Sequence, residues 1–171
     1  MRVFNKELGI IVNCQVDILL SRDLDSLIEK REVSAVTEWL KSGKLIHSMR
    51  DHPQHCVPLL GGMWGARLSV DRVRQQWQKS WKKIQEHRLA HSPRNATGPD
   101  QILLQHAVWK WGKHDSLEHD SYSCKEFPNS VGFPTERKSE KRGNFVGGRA
   151  DFWQECPMQC RRKGHHDWKY C

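Results

Sequence analysis

Val16–Gly43 reads VDILLSRDLDSLIEKREVSAVTEWLKSG, and the fold class turns on how it divides. Val16–Leu20 is a short apolar run broken only by Asp17, the kind that suits a strand buried in a parallel sheet. Ser26-Leu27-Ile28-Glu29 matches a capping box. Behind it Val33, Val36 and Leu40 recur at helical spacing, and Gly43 supplies a stop. The unit is therefore strand, acidic turn, helix. The acidic turn, Asp23-Leu24-Asp25, is the part whose purpose needs explaining.

The same alternation continues outward. Leu45–Met49 reads as the next strand, with Arg50-Asp51-His52-Pro53 as a turn. Val57–Leu60 is apolar, and Gly61-Gly62-Met63-Trp64-Gly65 breaks regular structure. Val70, Val73, Trp77, Trp81 and Ile84 keep a 3.6-residue period with a basic outer face, which predicts an amphipathic helix. His91–Pro99 is a loop. Asp100–Trp111 predicts a further helix with Ile102, Leu103, Ala107 and Trp109 or Trp111 inward, ended by Gly112. Leu117–Cys124 is a short strand candidate. Beyond it Pro128, Pro134 and several glycines punctuate an irregular basic stretch. No internal repeat is present. Strands alternating with helices predict an α/β fold. Residues 1–150 read as one domain and residues 151–171 as a Cys/His-rich tail.

Net charge is +8, with a sequence pI near 9.3. That balance favours an anionic partner. The basic residues are scattered rather than striped with aromatics, so no nucleic-acid groove is predicted. No apolar run is long enough to span a membrane. The first twenty residues are interrupted by Asn13, Gln15 and Asp17, which argues against a signal peptide. Six cysteines and the sequon Asn95-Ala96-Thr97 nevertheless point to an oxidising lumen, Golgi or extracellular, rather than the cytoplasm. Cys156, Cys160, His165, His166 and Cys171 match no common zinc spacing, so disulfides are the expected use of the tail cysteines.

Several residues could carry chemistry. Asp23 and Asp25 sit where a strand ends, the place where α/β sheets bind ligands. Alternate carboxylates in a turn can reach a common point, and hard cations take carboxylate oxygen. The competing reading is that one of them caps the helix. His119, in His119-Asp120-Ser121-Tyr122, could complete a largely oxygen site for Mn²⁺, or be a surface histidine. Gly61 and Gly62 let a ligand approach the backbone closely. Asp100-Gln101 either caps a helix or presents two polar side chains to a sugar.

The order RDLDS, MRDHP, GGMWG, GPDQILLQ, HDSY resembles the catalytic half of a GT-A fold glycosyltransferase. It is nearest to glycosyltransferase-like proteins that carry RDLDS, MRDHP and GGMWG in this order, and more distantly similar to glycogenin-type enzymes. The resemblance covers Val16–Gly147, including FPTERK and NFVG. It implies a nucleotide-sugar transferase in which Asp23 and Asp25 hold Mn²⁺ or Mg²⁺ on the diphosphate of a donor such as a UDP-sugar, with His119 as a further ligand. It implies that Gly61, Gly62 and Trp64 line the donor-sugar pocket and that Asp100, with Gln101, faces sugar or acceptor as the catalytic carboxylate. Arg22 and Asp51 become candidate donor contacts. The expected partners are a nucleotide-sugar and a glycan or protein acceptor.

Only 22 residues precede Asp23, where such families place the units that grip the nucleotide base. The expectation is a partial GT-A domain lacking its N-terminal part, with weak turnover. The alternative is a secreted, disulfide-tied module that binds a glycan or cation and turns over nothing.

Overall fold

The computed structural model describes residues 16–91, 99–137, 144–148 and 152–171. Among them, one mixed sheet contains β1 (Ile18–Arg22), β2 (Ile46–Arg50), β3 (Met63–Arg67) and β4 (Ser116–Asp120). Their order across the sheet is β1-β3-β2-β4. β2 and β4 pair in parallel, while β3 runs antiparallel to β1 and to β2. It follows that β1, β2 and β4 share one direction, and their carboxyl ends meet at the edge where β3 begins. The expected α/β class is observed. Two strands differ from expectation: β1 pairs with β3 in antiparallel fashion and leaves Leu20 exposed rather than lying buried in a parallel sheet, and Met63–Arg67 overlaps the glycine-marked stretch that the sequence predicts to be irregular. Its alternation of Met63 and Trp64 between two buried faces is a strand signal masked by the glycines around it.

Strand alternation sorts the side chains onto two faces. Leu19, Ile46, Trp64 and Ala66 meet Val73, Trp77, Trp81 and Ile84 of α2 (Asp71–His91) in the larger core. The predicted inward stripe of that helix is the one observed. Met49 and Met63 face the other way, and with Ala35 of α1 (Lys30–Ser42), Phe133 and Val146 they form a second core. Gly65 admits α1 to this face. A Cβ there would fall 3.1 Å from the Trp39 ring, which stacks on His47 with ring centroids 5.2 Å apart.

The details of two helices differ from expectation. α1 begins at Lys30, after Glu29, with no side-chain cap, so the capping box does not form. Ser26 instead donates its Oγ hydrogen to the Gly147 carbonyl, 3.2 Å away. The face α1 turns inward is Arg31, Glu32, Ala35 and Trp39, while Val33 and Leu40 are exposed. Ion pairs make burial of Arg31 and Glu32 possible, and hydrophobic spacing cannot report them. The third helix, α3 (Pro99–Leu104), continues through a π-turn at Gln105–Trp109 into Lys110–Gly112. That turn inserts a residue and rotates the inward face. Leu104 and Val108 are buried, and Ile102 is exposed.

Two disulfides, Cys124–Cys160 and Cys156–Cys171, use all four C-terminal cysteines. Cys56 is free and exposed. Cys14 and the Asn95 sequon lie outside the described residues. The tail is bound to the body by the first disulfide, by Arg162 on Glu38, and by the Arg137 amide on the Tyr170 carbonyl at 2.7 Å. Among the described residues no helix is long and apolar enough to cross a membrane.

Candidate functional site at the carboxyl edge of the sheet

The segments after β1, β2 and β4 and the glycine pair before β3 gather at one edge of the sheet. A loop spanning residues 144–148 crosses them. Its Val146 amide donates to the Asp51 carboxylate at 3.0 Å, and its Gly147 carbonyl accepts from Ser26. Residues far apart in the chain are thereby brought to one place.

The acidic turn is braced from behind. Arg22 ends β1 and turns its guanidinium onto Glu32 of α1, with Nη2 to Oε2 at 2.6 Å. The same group donates to the Leu27 carbonyl at 3.1 Å and more weakly to that of Ser26. Arg22 therefore shapes the turn and is not directed outward to a ligand. Asp23, Leu24 and Asp25 are exposed on the turn. Asp23 lies directly against Gly62. A Cβ on Gly62 would fall 2.7 Å from the Asp23 amide nitrogen and inside its carboxyl group. Ser21 fixes the neighbouring residue by donating to the Gly61 carbonyl at 2.6 Å. Among the expected site residues, Asp23, Gly61 and Gly62 are thus brought together, with Asp25 one turn residue away.

Asp51 has a different setting. It is fully buried. Its carboxylate accepts from Arg31 through Nε at 2.8 Å and Nη2 at 2.9 Å, from Ser121 Oγ at 2.6 Å, and from Arg137 Nη2 at 3.0 Å. Burial pushes its carboxyl up, but Arg31 and Arg137 outweigh that and hold it below the usual carboxylate range. With every oxygen used, Asp51 joins β2, α1, β4 and the 144–148 loop and has no lone pair to offer a donor. Next to it an aromatic wall forms. The His52 ring lies 4.2 Å from Phe152 and 4.9 Å from Phe145, and Tyr122 packs on Phe152. Burial lowers the His52 and His55 imidazoles, His55 to about 4, and it raises the Tyr122 hydroxyl.

His119 is placed away from the acidic turn. It is fully buried in β4, and β4 and β1 flank the sheet from opposite sides. Three strand spacings separate them, about 14 Å. His119 Nδ1 is 2.9 Å from His47 Nε2, and its Nε2 is 3.3 Å from Glu38 Oε2. These partners assign the tautomers: His47 donates to His119, and His119 donates to Glu38. Burial pushes both imidazoles down, His47 well down, so both are neutral at pH 7. The His119 hydrogen bond, reinforced by Arg162, lowers the Glu38 carboxyl to about 2. Trp64 is 1% exposed and packs on Trp77, so its ring serves the core. Gln101 is half-buried in the first turn of α3, which Asp100 shares.

Charge at this edge is organised by residues that no local pattern marks. Arg31 and Arg137 converge on Asp51, and Arg50 ends β2 with its guanidinium on Glu118 and Asp120 and over the Phe127 ring. The only sequence signal was the pairing of Arg with Asp in SRD and MRD, which does not say which partner each chooses.

Among the described residues no three His, Cys, Asp or Glu side chains cluster as metal ligands. Two exposed carboxylates still suit a cation that keeps several waters and takes its remaining ligands from substrate phosphates. The cradle at Gly62, which any Cβ would fill, keeps Asp23 at the turn. No protein-family model, curated protein or solved structure matches the chain.

Proposed function

We propose that the chain is a metal-dependent glycosyltransferase-type domain of the GT-A class, with its donor diphosphate at the carboxyl edge of the sheet. One observation carries the reading: the Asp23–Asp25 turn and the Gly61–Gly62 pair, separate in sequence, pack against each other where the parallel strands end. Asp23 and Asp25 would hold Mn²⁺ or Mg²⁺, which supplies charge neutralisation on the departing diphosphate of a UDP-type sugar. Gly62 seats the Asp23 carboxyl group, and Gly61, partly exposed beside it, is the glycine whose backbone a donor would approach. Arg22 and Ser21 position the turn, and Asp51 positions the loop that crosses it. Asp100 and Gln101 remain candidates for the acceptor side.

A second reading is a cation- or glycan-binding protein that turns over nothing. The burial of His119, Asp51 and Trp64 favours it, because three expected donor-site groups are committed to the interior.

Calorimetric titration of UDP into the chain, with Mn²⁺ and then with EDTA, tests the first reading. Metal-dependent binding that is lost in Asp25→Ala, with unchanged thermal unfolding, is the expected result. Equal binding by variant and parent removes the metal assignment. Metal binding without any UDP binding favours the second reading.

A further inference from the structure

Away from the acidic turn, the disulfide-tied tail lines an open cavity of about 550 Å³ against α1 and the strand-like segment at Val131 that bridges to β4. Its wall includes Glu38, Gly132, Arg161, Arg162, Lys163 and His166. Arg162 is held rigidly: Nη1 donates to Glu38 at 3.0 Å and to the Gly132 carbonyl at 3.0 Å, and Nη2 donates to Glu38 at 2.8 Å. That uses three of its five N–H donors. Arg161 is fixed by the His166 carbonyl at 2.7 Å and the Cys156 carbonyl at 3.4 Å.

The carboxylates nearby are shared. Glu38 serves both Arg162 and His119, and Glu155 serves both Arg161 and Lys169. Lys163 is exposed and has no carboxylate partner among the described residues. Three cations, Arg161, Arg162 and Lys163, therefore line the cavity against one carboxylate, Glu38. The cavity keeps a net positive charge and donors that are already oriented, so an anion entering it needs little further ordering. The Cys124–Cys160 disulfide lies in the same wall and anchors the basic run that follows it.

We propose that this cavity is an anion-binding site, separate from the acidic turn, for a phosphate or sulfate ester carried on a sugar-sized molecule. The volume falls within the range of small-molecule sites and exceeds what a bare oxyanion fills. The proposal does not depend on the transferase reading, because none of its residues belongs to the acidic turn.

The test is an NMR titration of the disulfide-intact chain with glucose 6-phosphate, glucose 6-sulfate and, as a neutral control, glucose. Saturable shifts at the Gly132, Arg162 and Lys163 amides are expected with one or both esters and not with glucose. The better of the two esters identifies the oxyanion. Lys163→Glu is expected to weaken binding about tenfold or more. Lys82→Glu, on the exposed face of α2, is expected to leave it unchanged. Equal affinity of parent and Lys163→Glu, shifts as large with glucose, or non-saturating shifts spread over all basic surfaces would each overturn the proposal.

Discussion

Two strands of this sheet end in the same dipeptide and meet opposite fates. Arg22-Asp23 closes β1 and Arg50-Asp51 closes β2. Arg50 is fully buried on Glu118 and Asp120, whereas Arg22 keeps 23% of its side chain exposed and pairs with Glu32. Asp51 is saturated in the interior, whereas Asp23 is exposed on a turn. β2 has paired strands on both sides, and β1 has β3 on one side only among the described residues. An ionic group at the end of a central strand is desolvated by its neighbours and must be paired, and one at the flank keeps its water. The comparison separates an Arg-Asp committed to the interior from one whose aspartate keeps its water.

The largest expected break in that comparison is Asp51→Ala. It leaves Arg31 and Arg137 as buried charges without their carboxylate, at a cost of about 3–5 kcal/mol in urea unfolding. Asp23→Ala should cost no more than about 0.5 kcal/mol, as for an exposed side chain. Similar values for the two would show that strand position does not govern them.

Next in size is Gly62→Ala, where the new methyl group meets Asp23. Overpacking of this kind costs about 1–3 kcal/mol. Combining it with Asp23→Gly should recover only the part due to the carboxyl group, because the backbone nitrogen of residue 23, 2.7 Å from the new methyl group, remains. A double variant no more stable than Gly62→Ala would mean that the conflict is elsewhere.

Acid titration sharpens the contrast between buried and exposed groups. His47 and His119 have folded values depressed below the ordinary 6.5, so the unfolded chain binds the extra protons. Their contribution is full above 6.5 and is lost as pH falls below it. His52 and His55 act in the same direction. Glu38, at about 2 against an ordinary 4.5, adds a further loss between those two values. Thermal melting followed across this range should decline below pH 6.5, and His119→Gln should flatten part of the decline. A melting temperature constant down to pH 4.5 would contradict the burial of these imidazoles.

A smaller effect than that of Asp51→Ala belongs to Arg22→Ala, which leaves the largely buried Glu32 without its arginine at a cost of about 1–3 kcal/mol. Its readout is local. Amide hydrogen exchange at Ser26, which donates to the Asp23 carbonyl at 3.3 Å, should speed up while the β2 amides stay protected. Equal change across the sheet would mean that Arg22 supports more than its turn.

Much of the architecture was legible because it rests on local periodicity. The α2 stripe of Val73, Trp77, Trp81 and Ile84 is buried as its spacing predicts. β1, β2 and the α/β class follow from the same kind of pattern. The failures have identifiable causes. Gly61, Gly62 and Gly65 concealed β3, because glycine weakens strand propensity even where a close neighbour requires it. The π-turn moved Ile102 out of the core. α1 buries Arg31 and Glu32 and exposes Val33, because ion pairing across the fold outweighs the hydrophobic pattern at those positions. At the candidate site, the acidic turn and the glycine pair were visible as motifs, and their contact was not.

What the sequence by itself determined is the set of segments that become strands and helices, the exposed acidic turn after β1, and the oxidised use of the tail cysteines. These depend on residue spacing, turn chemistry and cysteine number, all of which act over short distances or on composition. Only the tertiary structure decided that Asp23 meets Gly62, that Asp51 closes a network with Arg31 and Arg137, that His119 turns to His47 and Glu38, and that the tail lines a basic cavity. The physical reason is that burial sets the value of each charge. Whether an aspartate, histidine or arginine is hydrated or enclosed depends on which strands flank it, and strand order is a property of the whole chain.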